Sequence, residues 1–276
     1  MNPQIVWNVW RRIMRESVLQ NALFNTAEAD RNWNAFSFSN EEKMIAQDYA
    51  KNAERAKWPV VNYRYRLSNS FLNALESGGA SMVLRSLLAK KIDIRDLGEE
   101  FLELKGWKDY GPYVYTYCFE ALNFLLTHEA TKEPNGLREL ISLEKTVAEL
   151  MIGLSKNQEK PTGNPLLLRR EPSAMHYQSQ VQLSQWLRDK SQLGITDTEK
   201  GIENFLVYLP NLDSTHRFTM LTPRAVELYQ ILENPCLYSE LPALLENNGY
   251  AGSTDDDNDC LKALASYQAI TIPGEL

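Results

Sequence analysis

Residues 221–241 read LTPRAVELYQILENPCLYSEL. Thr222 is a natural N-cap, because its hydroxyl can accept from an unpaired N–H of a first helical turn, and Pro223 suits a first helical position, where no N–H is needed. Leu221, Ala225, Leu228 and Leu232 then line one face at helical spacing. AsnPro at 234–235 ends that helix. SELPALLEN starts a second one, with Leu241, Leu244 and Leu245 inward and Pro242 in its first turn. Two short helices joined by a tight break predict a helix-turn-helix, a scaffold used most often on DNA.

Charge speaks against DNA. Residues 161–276 carry 8 Lys+Arg against 15 Asp+Glu, a net of −7, while residues 1–160 carry 21 against 21. A DNA-binding module needs several cations to displace counterions from phosphates. The second helix, which would enter the groove, holds Glu240 and Glu246 and no Lys or Arg. The same scaffold can instead take an extended peptide along an open strand edge, with main-chain bonds for affinity and pockets for alternate side chains. An acidic module suits a peptide with basic residues.

Working outward, a third helix is expected from near Asp259, where acids favour the positive end of the helix dipole, with Leu261 and Leu264 toward the core. IleThrIle at 270–272 reads as a closing strand. Upstream, PLLLRR (165–170), NFLVYLP (204–210) and HRFTML (216–221) are short apolar runs bounded by turn residues, hence strands, the last two joined as a hairpin. MHYQSQVQLSQWLRDK (175–190) reads as helical or irregular. Strands followed by helix, turn, helix and helix make a winged helix-turn-helix.

The first half reads as all-α. Helices are expected over 1–24, from Ser39 or Asn40 to Trp58, where Pro59 should stop the chain, and from Val60 to Glu76. SerGlyGly at 77–79 ends the last of these. Further helices follow at 82–88, after 92–94, after Pro112 and over 137–151, where leucines 137, 140, 143 and 150 keep the helical period. The polar stretch GLSKNQEKPTGNP (153–165) marks a boundary between a helical domain at 1–155 and a winged-helix domain at 161–276. The fold class is α+β, mostly α.

Apolar and charged fractions of 43% and 24% are those of a globular chain, and no apolar run is long enough to span a membrane. The N-terminus has its arginines after a short apolar part, the reverse of a signal peptide, so a cytoplasmic location is expected. Cys118, Cys236 and Cys260 have no paired spacing, which fits packed thiols better than a disulfide or zinc site. His128, His176 and His216 sit in separate segments without ligand spacing. Neither a phosphate loop nor a nucleophile with a base is visible, and the acids 255–259 lack the calcium-loop pattern. YRYR (63–66) and GWKDYGPYVYTY (106–117) are either aromatic core with solvated arginines or a docking face. Tyr, Trp and Arg dominate interface hot spots, and the five aromatics from Trp107 to Tyr117 cannot share one helix face.

The run from PLLLRR through NFLVYLP to LTPRAVELYQILENPCLYSELPALL resembles the RiPP recognition element, the PqqD-like winged helix that holds leader peptides of ribosomally made, modified peptides. YRYRLSNSFLNALESGGASMVLRSLL, EEFLEL and LRELISLEKTVAEL resemble the helical domain of HvfC-type maturation partners. The whole is similar to the TglI-like maturation partners, related to HvfC/BufC and MbnC. The insert around the second strand is longer than in that pattern. The resemblance implies a non-catalytic subunit that pairs, as a heterodimer, with a TIM-barrel multinuclear non-haem iron enzyme. That enzyme would remodel a cysteine of the precursor, in the TglI-like case by excising the β-carbon of a C-terminal Cys toward 3-thiaglutamate. Iron would belong to the partner, with no cofactor in this chain, no nucleic acid and no membrane.

On this reading the peptide lies along the strand carrying Phe218 and Met220, beside Val207 and against Leu261 and Leu264. Arg64, Arg66, Trp107 and Tyr110 are the expected partner interface. The alternatives are a winged-helix transcription regulator with a helical dimerisation domain, which a basic recognition helix would favour, and a stand-alone enzyme, for which no constellation stands out.

Overall fold

The computed structural model describes residues 2–105, 114–156, 166–209 and 215–273. They are mostly helical, with two antiparallel sheets of three strands each, as the α+β, mostly α class expects. The chain divides into two compact units, Met1–Asn73 with Asp93–Asp109, and Ala74–Ile92 with Tyr110–Leu276.

The first unit is helical. α1 (Pro3–Arg15) and α2 (Ser17–Phe24) replace the single helix expected over 1–24. The chain is extended at Glu16, whose carboxylate accepts from Arg12 Nε at 2.6 Å. The break lets Leu19 and Leu23 pack in one core with Val9, Ile13, Ile45 and Val60. α3 (Asn40–Lys51) opens on a reciprocal cap: Glu42 N–H donates to Ser39 Oγ and Ser39 N–H donates to the Glu42 carboxylate. α3 ends at Lys51, not Trp58, and α4 (Ala53–Ser77) runs straight through Pro59. Pro59 is exposed, while Val60 beside it is fully buried, so core packing outweighs the lost helix bond. α6 (Ile94–Lys105) lies close to α4 at Gly98, where a Cβ would stand 2.9 Å from the Ser68 carbonyl oxygen. The rings of Phe71 and Phe101 meet there at 5.4 Å.

The second unit begins at the end of α4, where Gly79 takes a φ of +93° that suits only glycine. α5 (Ser81–Ala89), α7 (Val114–Thr127) and α8 (Gly136–Lys156) follow, and leucines 137, 140, 143 and 150 of α8 are all buried. Next come β1 (Leu167–Arg170), β2 (Ala174–Val181), α9 (Leu183–Arg188), β3 (Lys200–Tyr208), β4 (Arg217–Met220), α10 (Pro223–Ile231), β5 (Cys236–Leu237), α11 (Leu241–Asn247), α12 (Asp257–Ser266) and β6 (Ile270–Thr271). One sheet has the order β5–β1–β6, the other β2–β3–β4. The expected hairpin of 204–210 with 216–221 is the β3–β4 pair, with Val207 opposite Phe218.

Residues 174–181 form a strand, where the sequence suggested a helical or irregular segment. Met175, Tyr177 and Val181 alternate with His176, Gln178 and Gln180, a period-two pattern weakened by Ser179 and by the polar composition. The strand is held by its pairing with β3 and by α8, whose Glu139 carboxylate accepts from the Tyr177 hydroxyl at 2.7 Å. β3 is buried on both faces, which is why FLVY (205–208) is a continuous apolar run. Leu206 and Tyr208 join the core of α10, α11 and α12. Phe205, opposite Tyr177, shares the α8 face with Val207. Helix α8 therefore packs with the sheet that follows it, across the boundary the composition suggested between 155 and 161. No helix among the described residues is long and apolar enough to cross a membrane.

Candidate functional site

Strand β4 ends its sheet. Leu221 N–H donates to the Asn204 carbonyl at 2.9 Å, and the register Leu206↔Thr219 and Tyr208↔Arg217 continues that bonded phase. The backbone groups of Phe218 and Met220 therefore point away from β3. Among the described residues no strand pairs on that side. Met220 is 48% exposed, and Phe218 is half-buried with its ring 5.2 Å from His216. Burial lowers the His216 pKa, so its imidazole is neutral near pH 7 and adds no charge to this edge. Such an edge can accept an extended chain through main-chain bonds.

The other three residues expected to line this groove are core. Val207 is 0% exposed behind Phe218 on the α8 face of the sheet. Leu261 and Leu264, at 1% and 0%, pack on the opposite face with Leu206 and Leu228. One surface cannot present Val207 together with Leu261 and Leu264. Proximity survives at one point, where Cys260 Sγ on α12 lies 4.0 Å from Thr222 Oγ1, just beyond β4.

What positions α12 is Arg224, a residue given no role in the sequence reading. Its Nε and Nη2 donate to both Asp257 oxygens at 2.6 and 2.9 Å, and it also donates to Glu227 and to the carbonyls of Ala251 and Gly252. Burial alone would raise the Asp257 carboxyl, but bonds from Arg224 and Thr254 bring it down to about 2. The Arg of LTPRA is thus a clamp between α10 and α12. The acidic run 255–259 is its sequence signal, legible there only as acids at a helix start.

A cleft of about 1930 Å³ lies beside the corner from β1 to β2. Ala174, Met175 and His176 contribute the edge of β2, Lys156 the end of α8, and Glu233, Glu240 and Leu244 the α10–α11 side. Arg170 shapes it by donating to the Tyr229 and Gln230 carbonyls at the end of α10. No sequence pattern announced it.

The expected partner interface divides. Arg64 is mostly buried and donates to Glu99 of α6 at 3.2 Å, so it braces the first unit. Arg66 is exposed. Trp107 and Tyr110 lie outside the described residues. Burial pushes the Cys118 thiol up to about 12, with Glu144 adding to it, and burial also raises Cys236, so neither is a ready thiolate at neutral pH. Among the described residues no three His, Cys, Asp or Glu side chains come together as a metal site. Comparison with protein-family models gives no match, and no curated protein matches the chain.

Proposed function

We propose that this protein is a non-catalytic partner subunit whose C-terminal half, 161–276, is a PqqD-like winged-helix peptide-recognition module. It binds the leader of a ribosomally made precursor peptide and presents the peptide's cysteine to a TIM-barrel multinuclear non-haem iron enzyme. The favoured reaction is excision of the β-carbon of a C-terminal Cys, toward 3-thiaglutamate, with iron held by the partner. The helical residues 1–155, Arg66 among them, provide the docking surface. The resemblance of LTPRAVELYQIL and YSELPALL supplies the chemistry of this reading.

The observation that supports it most directly is the outward main-chain edge at Phe218 and Met220, next to the start of α12. A regulator of transcription is disfavoured by α11, which carries Glu246 and no Lys or Arg. The test is titration of a fluorescent leader peptide into the full chain, with Phe218→Asp and Met220→Pro as variants. Met220→Pro removes an N–H that makes no bond to β3, so the ladder stays intact. Each variant is expected to weaken binding at least tenfold. Unchanged affinity in both would remove the β4 edge from the function.

A further inference from the structure

The β2–β3–β4 sheet has a second open edge. Leu209 N–H donates to the Ser173 carbonyl at 2.9 Å, and the register pairs Met175 with Val207 and Tyr177 with Phe205. Alternation then turns the backbone groups of His176 and Gln178 outward. Two side chains agree with this phase. The Tyr229 hydroxyl donates to the Ala174 carbonyl at 2.9 Å, and Gln180 N–H donates to Glu139 at 3.2 Å. Between these tied points, the outward N–H and C=O groups of His176 and Gln178 have no partner among the described residues.

Of this stretch His176 lines the cleft described above, together with Ala174 and Met175 before it. Open strand edges are ordinarily covered or blocked, because they template pairing with another chain. Here both flanks are tied by side chains and the centre is open. The cleft is larger than the roughly 300–1,000 Å³ of small-molecule pockets and has the size for a length of chain. Its lining carries both signs, Lys156 and Arg170 with Glu171, Glu233 and Glu240, and the Arg170 guanidinium is taken up by the Tyr229 and Gln230 carbonyls. Among the described residues Glu233 is exposed without an ion pair and Glu240 accepts from Leu237 N–H alone, both on the α10–α11 side. Lys156, the last residue of α8, lines the same cleft. Successive side chains of a strand point to opposite faces, so one extended peptide can meet both walls with different residues.

We propose that this cleft binds an extended peptide that pairs with β2 at His176 and Gln178. Its basic side chains, at every second position, face Glu233 and Glu240, and its uncharged side chains face Met175 and the end of α8. This edge is distinct from β4, so the proposal does not depend on the leader-peptide reading.

The experiment uses the full ¹⁵N-labelled chain and a blocked heptapeptide of alternating Lys and Val. Amide exchange at His176 and Gln178 is expected to slow at least tenfold on binding, with Phe218 and Met220 unaffected. Glu233→Lys should weaken binding roughly tenfold through the lost charge pairing. Gln178→Pro, which removes an outward N–H together with the side-chain bond from Gln178 Nε2 to Asn204 Oδ1, should weaken it at least as much while the β2–β3 amides stay protected. The proposal is overturned if the peptide does not bind, if an alternating Glu–Val peptide binds equally well, or if protection appears at Phe218 and Met220 instead. That last outcome would leave the β4 site standing.

Discussion

Glu144 is a carboxyl buried to 1% exposure, and its position explains why it is kept. Helix α5 has Ala80 at its N-cap, which offers no side-chain acceptor. Glu144 supplies one from α8: Met82 N–H donates to its Oε1 at 2.9 Å and Val83 N–H to its Oε2 at 2.8 Å. Burial pushes the carboxyl up to about 8, against the pull of the Val83 and Met82 amides and of Arg85. The folded protein therefore holds this proton more tightly than the unfolded chain. The stabilisation is complete below the ordinary 4.5 and is lost as pH rises through about 8. Glu144→Gln should flatten the fall in stability measured by urea unfolding between about pH 5 and pH 9. An unchanged slope would mean that the group titrates normally in place. Glu144→Ala should cost roughly 2 kcal/mol at the lower pH, from two orphaned helix N–H groups.

The Arg224–Asp257 clamp titrates the other way. A folded pKa of about 2 against 3.8 places its stabilisation above the ordinary value, and it is lost as pH falls toward 2. The pair is mostly buried, with side-chain exposures of 14% and 4%, so solvent screens it little. Asp257→Asn should cost about 2–3 kcal/mol near neutral pH and remove that acid sensitivity. Thermal melts from about pH 2 to pH 7 would show both effects, and a variant as acid-sensitive as the parent would rule the clamp out. Thr222 was legible in the sequence as the cap of α10, and it accepts from Ala225 N–H as expected. Asp257 was not, because its partner stands 33 residues away.

At the scale of elements, helix α4 and strand β2 depart most from local expectation. Pro59 removes one helix bond, yet α4 continues because Val60, Phe71 and Leu75 are fully buried along its length. Since Pro59 itself is exposed, Pro59→Ala restores the bond at little packing cost. The variant should be more stable by about 1–3 kcal/mol in chemical denaturation. A loss of stability would show that Pro59 is needed for the first-unit core. Strand β2 is the converse case. Its period-two signal, Met175, Tyr177 and Val181 against His176, Gln178 and Gln180, is weak, and the strand is held by β3 on one side and Glu139 of α8 on another. Strand β4 itself was legible, since a short apolar run after a hairpin length is a local pattern, but which strand edge is left open was not. That Val207 faces α8 while Leu261 faces the other side was not, because facing depends on register.

For the whole molecule, the decisive fact is that the β2–β3–β4 sheet is covered on both faces. Phe205 and Val207 lie on the α8 side, so a fragment of 161–276 alone would expose them along with Tyr177. Such a fragment should bind the dye ANS and show poor NMR dispersion, whereas 114–276, which restores α7 and α8, should bind less and disperse well. A well-dispersed 161–276 fragment that does not bind ANS would restore the composition boundary as a folding boundary.

The sequence by itself determined the class and most helices of the protein, because caps, breaks and the 3.6-residue period are written within a few neighbouring residues. It determined the acidic balance of the C-terminal half and the β3–β4 hairpin for the same reason. The helix through Pro59, the full strand at 174–181, the clamp of Arg224 on Asp257 and the cap of Glu144 on α5 come from tertiary contacts. Each of these rests on a partner tens of residues distant, whose burial or hydrogen bond outweighs the local preference of the chain.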